Sequence, residues 1–347
     1  MAITISQPND IETIKGNSLA IFKDASSGKF FAKDINGAIE NISDAIGVPQ
    51  TLQQVLDAGN TAISDIFIEG KINFGEDNSI TGANSLAFGV QAIVNGTNSL
   101  AGGSTTQASG NQSFAIGFQT LANGVNSFAG GNTTQASGNQ SFAFGRTNLA
   151  SGNNSFAGGN TNQAIGQESF VIGRQTLASG NNSVAGGSNS QASGDDSFSL
   201  GHSCISSGND SFSIGFSSEA IGLRSFSSGS QTSAVERNAF ATGNLNNANN
   251  INSSVFGTEN DTNSSHQMVI GKHSDNTVRV GTSVFRIGTG VSAGNRSNGF
   301  VVGTNGEIDM PLLASSTSYA DDTQASSGGV EIGQLYRNGS VVQIRVV

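Results

Sequence analysis

From Ser85 onward a five-residue unit recurs at every fourteenth position without insertion: Ser85-Leu-Ala-Phe-Gly89, Ser99-Leu-Ala-Gly-Gly103, Ser113-Phe-Ala-Ile-Gly117, Ser127-Phe-Ala-Gly-Gly131, Ser141-Phe-Ala-Phe-Gly145. It continues in phase through Gly159, Gly173, Gly187, Gly201, Gly215, Gly229, Gly243 and Gly257 to Gln267-Met-Val-Ile-Gly271. With Ser85 as place 1, glycine holds place 5 in all 14 copies. An Ala-x-Gly follows half a period later, as in Ala108-Ser-Gly110, Ala122-Asn-Gly124 and Ala136-Ser-Gly138. A fixed period sustained over this length forces one supersecondary unit to stack on itself.

The period equals two heptads, so helix and strand both have to be weighed. Two glycines per period would each cost about 1 kcal/mol inside a helix, and Ser, Thr and Asn fill most other places. Within a unit the alternation has period 2, with Phe114 and Ile116 on one face and Ala115 on the other. Each period therefore supplies two short strands and two turns, one coil of a parallel β-solenoid in a mostly β protein. The place-5 glycines (Gly89 to Gly271) are expected to begin tight turns with positive φ or close backbone approach.

Place 4 alternates bulky and absent side chains through Phe88, Gly102, Ile116, Gly130, Phe144, Gly158, Ile172 and Gly186. Vertical neighbours should then interdigitate, and the expectation is that they fill the narrow interior of the coil. The turns carry Asn, Gln and Asp, as at Asn111-Gln112 and Asp195-Asp196, which can ladder between coils. A coil this thin buries little by itself. The row Ala87, Ala101, Ala115, Ala129, Ala143 and Ala157 is expected to face sister chains around a threefold axis.

Ser113-Phe-Ala-Ile-Gly117 and its copies, followed by Ala-x-Gly in the same register, resemble the head repeats of the YadA-like trimeric adhesins over about residues 85–271. That resemblance implies a left-handed parallel β-roll in which three chains pack side by side. Thr51-Leu-Gln-Gln-Val-Leu-Asp-Ala-Gly-Asn60 and the stretch from Tyr319-Ala-Asp-Asp322 to Ile332-Gly-Gln-Leu-Tyr-Arg-Asn-Gly-Ser-Val-Val-Gln-Ile-Arg345 are similar to segments of bacteriophage tail and other virion proteins. Together these imply a phage fibre, homotrimeric, on tail or head, located in the virion after assembly in the host cytoplasm. Its partners would be other virion proteins and a host-surface receptor such as a carbohydrate. The alternative is a cell-surface or extracellular trimeric adhesin, disfavoured because no cationic, apolar start and no set of membrane strands is visible.

Three parts are expected: an attachment and trimerisation region at 1–84, the roll at 85–271 and a β cap at 272–347. In the first, Leu19–Phe22 and Lys29–Lys33 read as a hairpin. Ile35, Ile39, Ile42 and Ile46 have 4-3-4 spacing, a short helical seam. Leu52, Val55 and Leu56 line a second short helix between Thr51 and Gly59, so the N-terminal region is small and mixed α/β. Both helices would associate between chains. In the cap, Leu335–Tyr336 and Val341–Val347 flank Asn338-Gly339, a hairpin signal.

The formal net charge is −10, and no basic stripe is present to neutralise a phosphate backbone, which argues against nucleic acid. No apolar run reaches the ~20 residues of a membrane helix, so no membrane insertion is expected. Cys204 is the one cysteine and forms no disulfide framework. His202 with Cys204, and His266 with His273, lack the companions of a metal site. Gly271-Lys272 lacks the preceding glycine of a phosphate loop, since His266 stands there. Asp195-Asp196 occupy a turn where other copies have Asn or Gln. Place 8, reading Ala92, Thr106, Thr120, Thr134, Asn148, is too mixed for the flat threonine ladder of an ice-binding face. No catalytic constellation is present in the sequence, so a non-enzymatic chain without cofactor or metal is expected.

Overall fold

The computed structural model describes residues 20–23, 30–33, 39–41, 70–277 and 283–346. Contacts divide the chain into one unit up to Glu69 and a second from Gly70 to Val347. In the first, Ala20–Lys23 pairs antiparallel with Phe30–Lys33, so the expected hairpin forms. A third strand, Ile39–Asn41, adds to its edge. Ile39 therefore lies in a strand and the helical seam is overturned there. β-branched residues fit a pleated surface better than a helix, and the 4-3-4 spacing gave way to that preference. Ile35, Ile42, Ile46, Leu52, Val55 and Leu56 lie outside the described residues.

In the second unit the chain is a parallel β-solenoid. Fifteen five-residue strands, from Ile72–Glu76 to Met268–Lys272, stack one per coil. Identical places pair directly, as in Phe114↔Phe128, Ala115↔Ala129 and Gly117↔Gly131. A second ladder of 13 two-residue strands runs from Ser79–Ile80 to Asn247–Ala248 along the other side of the coil. The long-strand ladder starts one coil earlier than the sequence repeat. Lys71-Ile72-Asn73-Phe74-Gly75 forms that level without the serine of place 1, pairing Gly75 with Gly89.

Every seventh residue from Asp77 to His273 is a non-glycine in the left-handed region, with φ between 47° and 61°. These are places 7 and 14, the two corners of each coil. A left-handed side chain costs about 1–2 kcal/mol, least for Asn and Asp. The corner amide offsets part of that cost by donating to a carbonyl of the preceding coil, as Gln91 N does to Glu76 O at 2.9 Å and Asn98 N to Ala83 O at 2.9 Å. The place-5 glycines sit inside the long strands instead of opening a turn, but their φ values are positive throughout, 113° at Gly145 for example. A Cβ there would run into the carbonyl of the next coil's glycine, Gly159.

The interior is lined by places 1, 3, 8, 10 and 12, mostly of small residues. Ala87, Ala101, Ala115, Ala129, Ala143 and Ala157 are 0% exposed within a single chain. They form the core of the coil and cannot face sister chains, which corrects that expectation. The bulky place-4 residues point outward, so they do not fill the interior either: Phe144 is 56% exposed and Ile172 50%. The physical reason is the width of the coil. Two facing strands joined by one-residue corners leave room for a methyl, a hydroxyl or an amide between them, not for a ring.

At the C-terminal end the ladder gains Ser283–Thr289, still parallel, with Val269 paired to Arg286. Asn298–Gly303 and Ile308–Asp309 then run antiparallel and stop the parallel stacking. Arg286 occupies the place-3 column and plugs the interior, fully buried. It donates to the carbonyls of Asp275 and Asp261 and to Gln267 Oε1. Burial pushes its pKa down from 12.5 to about 10, against the pull of Asp261 and Asp275. The hairpin expected beyond it forms from Leu335–Asn338 and Val341–Ile344, with Gly339-Ser340 as the loop, one residue later than the sequence suggested. Two short helices, Pro311–Ala314 and Asp322–Ser327, make this end mixed rather than purely β.

Candidate functional site: the outer faces of the roll

With the interior closed by small residues, recognition falls to the outward places. Place 2 carries a column of stacked rings. Phe114, Phe128, Phe142, Phe156 and Phe170 lie 4.5 to 5.3 Å apart, centroid to centroid, with planes within 11° of parallel. The column is interrupted by Val184 and resumes over Phe198, Phe212, Phe226 and Phe240. Such stacks add about 0.5–1.5 kcal/mol per pair beyond burial. Beside it the glycines of place 4 act as seats: a Cβ at Gly102 would meet the ring of Phe88, and one at Gly130 the ring of Phe128. The bulky-over-empty alternation read in the sequence is therefore real, but it organises an apolar stripe on the outside.

The corners are laddered as expected. At place 13, Asn111 Oδ1 accepts from Thr97 N at 3.0 Å, Asn153 Oδ1 from Asn139 N at 3.0 Å and Asp195 Oδ1 from Asn181 N at 2.8 Å. Asp196 Oδ1 accepts from Asn182 Nδ2 at 3.0 Å. Asp195 and Asp196 are thus engaged in the corner ladder. Place 8 is interior: Thr106, Thr120 and Thr134 are at most 1% exposed, so they form no surface ladder. Asn162 shows what this place can do. Its Nδ2 donates to the carbonyls of Gly158 and Gly173, while its Oδ1 accepts from Thr176 N and Oγ1.

His202 is exposed and stacks on Phe216, whereas Cys204 points inward and reaches the Gly215 carbonyl, so the two diverge. His266 bonds to Asn252 and His273 to Glu259 at 3.0 Å, each at its own corner. Among the described residues no group of three or more His, Cys, Asp or Glu is placed to hold a metal ion. No helix among them is long and apolar enough to cross a membrane. The outward direction of the Phe/Ile stripe and the left-handed corners were both missed in sequence. The corners did leave a signal, the Asn, Gln and Thr recurring at every seventh position.

The YadA head domain repeat matches residues 81–106, 108–134, 136–161, 164–190 and 178–203. A search of the curated proteins finds no match to the chain. Residues 81–203, about a third of the chain, are thus similar to YadA head repeats and fold as a β-roll. The match ends where place 3 changes from Ala185 to Ser199 and where place 4 loses its alternation after Leu200, although the solenoid itself continues to Lys272.

Proposed function

We propose that the chain is a non-enzymatic adhesive fibre protein that works as a homotrimer. The observation that carries this is the stripe of Phe and Ile on places 2 and 4, in which Phe144 and Ile172 stand half or more exposed in one chain. Soluble monomers rarely leave a contiguous apolar patch of more than a few hundred Å² in water. Three copies around an axis would give each stripe a partner while leaving the polar corners facing solvent. The surfaces meeting at the axis are then the phenylalanines and isoleucines, with the alanines behind them as each coil's own core. Sedimentation equilibrium at micromolar concentration tests this directly. A mass three times 35.2 kDa is expected, and a stable monomer would falsify the proposal.

We further propose that the fibre is carried on a phage particle, docked through the unit before Gly70, with the roll and C-terminal end turned to the host. The support is the similarity of residues 51–60 and 319–345 to virion proteins, together with the acid excess of residues 1–84, where 11 acids stand against 5 lysines. A chain lacking residues 1–69 should still assemble but be missing from purified particles. Normal incorporation of that chain, with loss of a chain lacking residues 272–347, would reverse the proposed polarity, and absence of the intact chain from particles would leave a cell-surface adhesin as the better reading.

A further inference from the structure

The place-6 column lies at the end of each long strand, just past the glycine and two residues from the place-4 column of the Phe/Ile stripe. Parallel register stacks Arg146, Asn160, Arg174, Ser188 and His202 directly above one another. The two arginines and the histidine thus occupy alternate levels, about 9.6 Å apart at the ~4.8 Å spacing of paired strands. All three are exposed. Arg174 reaches Ser188 Oγ at 3.4 Å, and between Phe118 and Phe216 no acid lies on either this column or the adjoining corner. Phe118 and Phe216 close the run at its two ends, 46% and 50% exposed. The four acids between them, Glu168, Asp195, Asp196 and Asp210, all sit at places 13 and 14, on the opposite corner. Cations and anions are therefore segregated to opposite corners in this one section of the roll, while residues 85–145 carry no charge.

We infer that this column is a binding track for an extended acidic polysaccharide with one carboxylate per disaccharide. The two-coil interval between cations is about the length of an extended disaccharide. Asn160 and Ser188 offer hydrogen bonds to hydroxyls between the charges. The terminal rings offer flat apolar platforms to the C–H faces of sugars. Exposed ion pairs are individually weak, so affinity comes from repetition along the chain. This deepens the adhesive reading by naming its ligand class, and rests on it.

Hyaluronate, which has that charge spacing, is the probe, with dextran as its neutral counterpart and duplex DNA as an unrelated polyanion. Binding to the full-length protein would be followed by calorimetry at increasing salt. Hyaluronate should bind and weaken as salt rises, dextran should not bind, and duplex DNA should bind at least tenfold less tightly. The double variant Arg146→Gln, Arg174→Gln should lose about tenfold in affinity, with its melting curve and sedimentation mass unchanged. Arg224→Gln, at the acidic corner beside Asp210, should change nothing. Three results would each overturn the inference: no hyaluronate binding by intact protein, undiminished binding by the double variant, or equal affinity for duplex DNA. Arginine-dependent binding by a protein that sediments as a monomer would uphold the track and remove the trimer alone.

Discussion

The coils from Ala87 to Ala192 and those from Ser199 to Thr232 share one backbone and fill its place-3 column with different chemistry. In the first group places 3 and 10 form continuous columns of alanines with an occasional valine, beside the buried hydroxyls and amides of places 1 and 8. In the second, serine replaces alanine at Ser199, Ser213 and Ser227 of place 3 and at Ser206 of place 10. Three of those four hydroxyls find partners inside, while Ser199 Oγ is buried without one. Ser218 Oγ, Ser227 Oγ and Thr232 Oγ1 form a triangle with sides of 2.8 to 3.0 Å, and Ser213 Oγ donates to the Ser218 carbonyl at 2.7 Å. A second apolar cluster resumes at Ala234. The interior of this solenoid selects for size and tolerates either polarity, holding hydroxyls with a partner, as at Ser213, and without one, as at Ser199. The backbone ladders, not the core, carry the fold across the change.

The strongest way to break that statement is to attack the backbone in both regions. Gly145→Val and Gly229→Val each put a Cβ against the next coil's carbonyl at φ values of 113° and 125°. Each should cost about 3 kcal/mol or more, equally in the two regions. Denaturant melts that differ widely between the two variants would show that the cores matter more than argued. Next in size is Asn162→Ala, which strips the donors and the acceptor of one amide from the interior at once. About 2–3 kcal/mol is expected from the unpaired carbonyls of Gly158 and Gly173.

Smaller and opposite in logic are the exchanges of the core residues themselves. Ala143→Ser brings a hydroxyl between Ala129 and Ala157 and should cost about 1–2 kcal/mol. Ser227→Ala leaves Ser218 and Thr232 bonded to each other at 3.0 Å and should cost about 1 kcal/mol or less. Equal costs would mean that the hydroxyl network contributes more than its geometry suggests. Least of all is a pH effect outside both regions. Tyr336 donates to Asp322 Oδ1 at 2.7 Å, and that bond raises its pKa from 10.0 to about 12. Because the folded value lies above the unfolded one, the contribution is present below pH 10 and is lost as pH rises through 12. Ultraviolet titration of the chain's two tyrosines should show one of them ionising near pH 12, and Asp322→Asn should bring it down.

Much of this was legible in the residues. The period, the two strands per coil, the positive φ of Gly89 through Gly271, the corner ladders and the N-terminal hairpin follow from spacing and residue type alone. The facing of the strands did not. Alternation of period 2 says that Phe114 and Ala115 lie on opposite sides of a strand, but not which side is inside. The usual rule that bulky apolar residues go inward assumes an interior wide enough to hold them. Here the corners are single left-handed residues such as Gln91 and Asn98, and they draw the two strands too close. The column at place 6 was equally hidden, because Arg146 and Arg174 are two full periods apart in the chain and become neighbours only through the register. Arg286 ends the interior column from within an apparently ordinary strand.

The alternation at place 4 also has a bearing on how such a rod can change length. Between Phe88 and Gly186 the repeating object is a pair of coils, one bringing a bulky side chain and the next its glycine seat. Loss or gain of a single coil would set two bulky residues, or two glycines, on adjacent levels and shift every side chain beyond the joint by one level. Loss or gain of a pair leaves the pattern intact, including the two-level interval from Arg146 to Arg174. In this section of the rod, heritable changes in length should therefore come in double steps.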